Sequence, residues 1–317
     1  MGKANKPREG SLQFYPRVRA KKFLPRVNWD NLSRENTNLL GFIGYKVGMM
    51  SAFVKDNTPN STTKGKRMII PVTILECPTI KVLSVRFYKH GKVMGEVLNH
   101  NLDAELKRKI KLPKKHAKKI EDFKDFDDVK LMVYSQVKKT GIKKSPDISE
   151  IGLSGTVDEK FAFAKENMAK EISVKDVLND KGKLLDIRGV TIGKGTQGAT
   201  KRFGLALKSH KSEKGVRNPG SGGPWHPSRV EFMQPMMGQM GLFTRATYNN
   251  TLVSVDSIKD KDINPNSGFY NYGKIRTDYV VLRGSVQGPS KRQVLLTFPL
   301  RPSQRQIKKN YELLELR

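Results

Sequence analysis

The chain has 317 residues, with 60 Lys or Arg against 30 Asp or Glu, a formal net charge of +30. A charge of that size opposes compaction without a counter-charge and points to a polyanionic partner. Apolar runs such as Met68-Ile-Ile70 fall far short of the roughly 20 residues of a membrane span, so no membrane partner is expected.

Residues 1–6, Met-Gly-Lys-Ala-Asn-Lys, hold no apolar core for a secretory signal, and Lys6 stands where myristoylation requires Ser or Thr. Residues 1–38 show neither helical nor alternating pattern and form the expected N-terminal arm. It carries Arg8, Arg17, Arg19, Lys21, Lys22 and Arg26, interleaved with Phe14, Tyr15, Phe23 and Trp29. Aromatics among cations favour a docked arm over a solvated tail.

Residues 39–50, 67–76 and 79–88 are rich in β-branched residues and separated by turn signals, which predicts an antiparallel sheet or barrel whose first part is residues 39–98. Gly41, Gly44 and Gly48 predict bulges or close backbone approach. Pro71 predicts an edge strand or a bulge. Cys77 is the only cysteine. It can form neither an intramolecular disulfide nor a thiolate cluster, which fits a reducing compartment, and it reads as a quiet residue at a strand end.

Residues 99–182 change character: nineteen Lys or Arg meet fifteen acids. Residues 104–110, 114–120 and 158–170 look helical, the last with Phe161, Ala164, Met168 and Ala169 on one face, and 174–178 continues it. Residues 129–137 look like a strand. The segment reads as an inserted, solvated α/β domain. Strand signals return at 183–192, then at 244–256, 273–276, 278–283 and 293–298, so the barrel resumes over 243–300. The tail, 301–317, suggests a short amphipathic helix with Ile307, Tyr311 and Leu314 on one side. The predicted fold class is mainly β with an α/β insertion: a barrel discontinuous in sequence, with a long irregular N-terminal arm and a central finger.

That finger is residues 193–242. From Gly193 to Val230 there are eight Lys or Arg and one acid, Glu213. Its sparse apolar residues keep no period, so it cannot bury a face of its own and suits a loop ordered by a polyanion. Lys194, Lys201, Arg202, Lys208, His210, Lys211, Lys214, Arg217 and Arg229 are the candidate phosphate contacts. Phe203, Trp225 and His226 are candidates for stacking or hydrogen bonding. Glycines and flanking Pro224 and Pro227 would set Trp225 at the tip of a hairpin-like finger; the other reading tucks it back on the barrel, and the basic surroundings favour the tip. Met233, Met236, Met237 and Met240 read as a hinge packed on the barrel.

Gly193-Lys-Gly-Thr-Gln-Gly198 matches a dinucleotide fingerprint. No apolar-periodic helix follows it, however, and Glu213 has no second strand to present it to a ribose. A P-loop fails because Gly195 stands where Ser or Thr should bind magnesium. His90, His100, His116, His210 and His226 show no zinc spacing. No nucleophile elbow appears. Neither a catalytic group, a metal nor a cofactor is expected. A nucleotide-using RNA enzyme and a free-standing RNA chaperone remain the rival readings.

Five stretches together carry a resemblance. They are Gly41-Phe-Ile-Gly-Tyr-Lys-Val-Gly-Met49, Gly189-Val-Thr-Ile-Gly-Lys-Gly-Thr-Gln-Gly-Ala-Thr-Lys-Arg-Phe-Gly204, Gly223-Pro-Trp-His-Pro-Ser-Arg-Val230, Met237-Gly-Gln-Met-Gly241 and Leu282-Arg-Gly-Ser-Val-Gln-Gly-Pro-Ser-Lys-Arg292. Over almost its whole length the chain resembles the universal L-three family of large-subunit ribosomal proteins, archaeal and eukaryotic type. The resemblance implies a translation-protein-type β-barrel and a central extension driven into large-subunit (23S-type) rRNA. It further implies a tip, matching Trp225, near the peptidyl transferase region, binding early in assembly, and a cytoplasmic place in the large subunit. Partners would be that rRNA and neighbouring large-subunit proteins, without homo-oligomers. Two departures stand out: Phe203, where many relatives carry Trp, and Glu213 inside the basic extension.

Overall fold

Runs rich in Val, Ile and Leu form strands, which make two sheets and a short ribbon in a computed structural model that describes residues 10–32, 37–113, 119–123, 125–178, 184–220 and 228–317. The elements before the extension are β1 (Gly41–Asp56), β2 (Arg67–Glu76), β3 (Ile80–Lys89), β4 (Lys92–Leu98), β5 (Asp128–Ser135), β6 (Ile148–Gly152), α1 (Val157–Asn167), β7 (Glu171–Ile172), α2 (Val174–Val177) and β8 (Leu184–Val190). The extension adds β9 (Gly195–Gln197), α3 (Ala199–Phe203) and β10 (Gly238–Met240). Then come β11 (Thr244–Ser257), β12 (Asp278–Arg283), β13 (Gln293–Thr297), α4 (Gln304–Ile307) and β14 (Tyr311–Leu316). The chain divides into two compact units, one of Met1–Lys22 with Val190–Arg245, the other of Phe23–Gly189 with Ala246–Arg317.

In the larger unit, the order β13-β8-β11-β12-β2-β1, with β1 returning to β13, closes an antiparallel, barrel-like ring. Its strands come from either side of residues 80–178, so the ring is discontinuous in sequence. Both faces of β12 are covered: Val280 and Leu282 lie in one apolar cluster, Tyr279 and Val281 in another. That double burial explains why this strand reads as a continuous apolar run. The second sheet runs β4-β3-β5-β6, with β7 on β3. Across it, α1 places Phe161 against Phe126 at a ring-centroid distance of 5.7 Å and buries Ala164. A capping box starts α1: Thr156 accepts from the Glu159 amide, and Glu159 accepts from the Thr156 amide at 3.0 Å.

Trp29 ties the two sheets of this unit together. It is 4% exposed and lies against Gly41 of β1 and Gly152 of β6. A Cβ on Gly152 would sit 2.6 Å from Trp29 Cβ, and one on Gly41 would sit 2.8 Å from the Leu296 carbonyl oxygen. Of the glycines expected to allow close approach, Gly41 does so here, and Gly48 follows a register shift between β1 and β2. Cys77 is fully buried, and burial, followed by the nearby Glu76 and Asp278 charges, pushes its thiol pKa up, which leaves it inert.

Several expectations need correction. The predicted barrel segment 39–98 is divided, because β3 and β4 pair in the second sheet. Pro71 does not mark an edge: β2 lies between β1 and β12. Opposite it, Ser51 exchanges both backbone hydrogen bonds with Arg317 instead, and Pro71 lies just past the last β12 pair, Arg283 with Val72, so its missing N–H breaks no ladder. The tail holds one helical turn, α4, and then β14, which pairs with the half of β1 that β13 leaves free. Residues 273–276 form no strand; Asn264 caps the Ile275 amide at 2.7 Å, and buried Glu76 accepts from the Arg276 amide at 2.9 Å. Residues 174–178 do not continue α1, since β7 intervenes and Ser173 caps α2 afresh. The expected helix at 104–110 is a 3-10 turn, Ala104–Arg108, and that at 114–120 lies largely outside the described residues. Among the described residues, no helix is long and apolar enough to cross a membrane, and no group of His, Cys, Asp or Glu could hold a metal ion.

Candidate nucleic-acid interface

The smaller unit begins as an antiparallel ribbon. The Thr191 amide donates to the Phe243 carbonyl at 3.0 Å and the Lys194 amide to the Met240 carbonyl at 3.0 Å, before β9 pairs with β10. Gly241 makes this possible. Its φ is +75°, and a Cβ there would lie 2.0 Å from the Ile192 carbonyl oxygen. The Gly193–Gly198 stretch is therefore one limb of a ribbon. The helix after it, α3, has five residues and ends at Gly204, whose φ of +71° closes it.

One face of α3 buries Phe203, 7% exposed. Arg17 of the arm lays its guanidinium 4.3 Å from the Phe203 ring centroid, and Tyr15 stacks at 6.4 Å. Arg202 donates from Nε to the Gln239 carbonyl at 3.0 Å and from Nη1 to the Met236 carbonyl at 3.1 Å. This side chain fastens α3 to the returning limb. Burial first, then the Arg17 charge, lower the Arg202 pKa; guanidinium pKa values are high enough that it stays charged. Farther out, the Thr200 hydroxyl donates to the Arg217 carbonyl at 2.9 Å and the Lys208 amide to the Val216 carbonyl at 3.1 Å.

The candidate residues thus separate into two groups. Arg17, Arg202 and Phe203 come together inside the unit: they serve its packing, and Phe203 offers no open face for a base. Arg19, Lys21, Lys22, Lys194, Lys201, His210, Lys211, Lys214, Arg217 and Arg229 are exposed, and Lys208 is half-buried. Among the described residues none of these eleven pairs with a carboxylate. Glu213 is exposed too. Arg8, Trp225 and His226 lie outside the described residues, and with them the expected finger tip. Met233, Met236 and Met237 are exposed rather than packed as a hinge, while Met240 is half-buried in the ribbon.

Cations of the larger unit behave differently. Arg86 pairs with Glu96 and Glu150, both at 2.9 Å, Lys160 with Asp128 at 2.7 Å, and Lys139 with Glu171 at 2.6 Å. Sequence reasoning missed Arg245, which stands 4.3 Å from the Phe14 ring centroid, and the Tyr15–Phe232 edge contact at 6.0 Å. A hint was available: both flanks of the extension are short apolar runs of the kind a ribbon needs. No turn signal joins them, because the whole extension lies between.

A basic β protein whose extension is fastened through Arg202 and the arm's Arg17, and whose outward cations there pair with no carboxylate among the described residues, has the charge pattern of the class of basic proteins suited to a polyanion. Residues 1–316 match the family model described as Ribosomal protein L3. The chain is 43% identical to the large ribosomal subunit protein uL3 of Methanocaldococcus jannaschii, over 96% of this chain and 94% of that protein. It is 42% identical to the protein of the same name from Methanobrevibacter smithii, over 96% and 94%, and 40% identical to that from Archaeoglobus fulgidus, over 95% and 93%. The chain belongs to the ribosomal protein L3 family, a family of structural, non-enzymatic ribosomal proteins.

Proposed function

We propose that the protein is a structural constituent of the large subunit of the cytoplasmic ribosome. It binds 23S-type rRNA through the arm and the 193–242 extension, with neighbouring large-subunit proteins as further partners. The ring acts as a translation-protein-type barrel that anchors the extension. The extension organises rRNA early in assembly and supports the peptidyl transferase region without performing its chemistry. One observation carries this reading: the exposed cations of the extension lack carboxylate partners among the described residues, whereas many of the larger unit's cations have them. Such cations release counterions from a phosphate backbone on binding. A ribbon stem with an irregular, glycine-rich continuation suits recognition of RNA shape through phosphates and 2′-hydroxyls.

Filter binding of the full chain to a large-subunit rRNA transcript across a salt series tests it. The expected slope of log affinity against log salt is steep, about 0.7–0.9 per phosphate contact. Joint replacement of Lys201, Lys211, Lys214 and Arg217 by Ala should lower that slope. A flat dependence for the unaltered chain, or no change in the variant, would contradict the proposal. Loss of the protein from large subunits during sedimentation through high salt, with its RNA binding intact, would favour a free-standing chaperone.

A further inference from the structure

Lys107, Arg108, Lys109 and Lys111 form a cationic cluster outside the arm and the extension. Composition alone makes residues 99–182 self-neutralising, but the neutralisation is not local. Asp103 accepts hydrogen bonds from Lys81 Nζ at 3.1 Å, Tyr134 Oη at 2.8 Å and Gln136 Nε2 at 2.5 Å. Glu105 pairs with Lys138 at 2.7 Å. The two nearest acids in sequence are therefore engaged by groups other than this cluster. All four cations of the cluster are exposed, and among the described residues none pairs with a carboxylate.

The loop that carries them is also fixed. Leu106 is 0% exposed and packs with Leu83 and Tyr134, while Ile110 and Leu112 rest on the same small cluster. The Lys109 and Ile110 amides both donate to the Leu106 carbonyl, at 2.8 and 2.9 Å. Leu106 points inward, while 107, 108, 109 and 111 project into solvent around an open hollow of about 440 Å³ that half-buried Ile110 and Leu112 also line. A backbone already ordered by apolar packing lowers the entropy lost when these side chains meet a ligand.

We propose that this loop is a second phosphate-binding surface for an RNA backbone, separate from the extension. The identity of the polyanion rests on the reading under Proposed function; the site itself rests on the loop. Lysine is depleted in the cores of protein interfaces, and this loop exposes three lysines without an exposed large apolar residue, which favours RNA over a protein partner.

The test uses the full chain with all four cations replaced by Ala, measured by filter binding on the large-subunit rRNA transcript over a salt series. The slope should fall by about three to four, at about 0.7–0.9 for each of the four phosphate contacts, and the extension variant should lose its own share additively. The thermal midpoint should not move, because all four side chains are exposed. Cys77, the only native cysteine, is fully buried, so iron–EDTA attached to Lys111→Cys labels this loop alone and should cleave the RNA. An unchanged slope, no RNA cleavage from position 111, or cleavage confined to a neighbouring protein would overturn the inference. A Lys214→Cys probe separates the two readings. If it cuts RNA while position 111 does not, only this inference falls; if neither cuts, the reading beneath falls with it.

Discussion

Arg17 and Arg202 hold each other through their backbones. Arg17 Nη1 donates to the Arg202 carbonyl at 2.7 Å, and Arg202 Nη2 donates to the Arg17 carbonyl at 3.4 Å. Two like charges are thereby brought together from residues 185 apart in sequence, with Phe203 beneath both. Carbonyl dipoles and the ring face compensate the repulsion, so in this module these cations act as fasteners.

Arg202→Ala should therefore loosen the arm. Loss of charge-assisted hydrogen bonds of this kind costs about 1.5–3 kcal/mol. The expected outcome is faster hydrogen exchange at the Ala20 amide, which donates to the Leu242 carbonyl at 2.7 Å. Arg202→Lys should rescue little, because an ammonium cannot reproduce the planar fork. Lys201→Ala, one residue away and exposed, should leave exchange unchanged.

Gly152→Ala tests the Trp29 slot. The added methyl would meet Trp29 Cβ at 2.6 Å, and overpacking of a filled core costs about 1–3 kcal/mol. Urea denaturation should show a lower midpoint with an unchanged m value. Trp29→Ala should cost more, about 3–5 kcal/mol, because it leaves a cavity between two sheets. If either variant kept the native midpoint, Trp29 would not be tying the sheets together.

Asp56 sets a pH dependence. It accepts hydrogen bonds from the Thr58 amide at 2.9 Å, the Ser61 hydroxyl at 2.9 Å and the Thr63 hydroxyl at 2.6 Å. Burial by itself would raise its pKa, but these donors outweigh it and hold the carboxyl well below the usual range. A folded-state pKa below the unfolded one gives stability that is fully present above about pH 4 and is lost as pH falls. Asp56→Asn should lower the urea midpoint at pH 7, and its deficit against the unaltered chain should shrink as pH drops below about 4. A deficit that stayed constant with pH would assign the effect to packing instead.

Glu213 is exposed among cations and has no ion pair among the described residues. If phosphates approach this part of the extension, its charge opposes them. Glu213→Gln should tighten binding to the rRNA transcript a few-fold at low salt, with the difference fading as the Debye length shortens toward about 3 Å at 1 M. Weaker binding by the variant would mean instead that the carboxylate accepts a specific hydrogen bond from the RNA.

Much was legible along the chain because its causes are local. β-branched runs marked β2 and β12, apolar residues sharing one face of 158–170 marked α1, and the unbalanced lysines of the extension announced a polyanion before any fold was known. Partner choice was not local. β3, like β2, is a strand-forming run with β-branched residues, yet it joins a different sheet, because pairing depends on which edge is free after the chain has crossed the ring. The same holds for the last residues, where an unpaired half of β1 draws Tyr311–Leu316 into a strand. Nor could spacing reveal that Arg17 would find Arg202, or that Asp103 would turn to Lys81 and leave Lys107, Arg108, Lys109 and Lys111 without a carboxylate partner among the described residues. Sequence determined the kind of residue at each place and the sign of its charge. The tertiary structure alone decided which charges face one another, because that distance is set by packing between segments far apart in the chain.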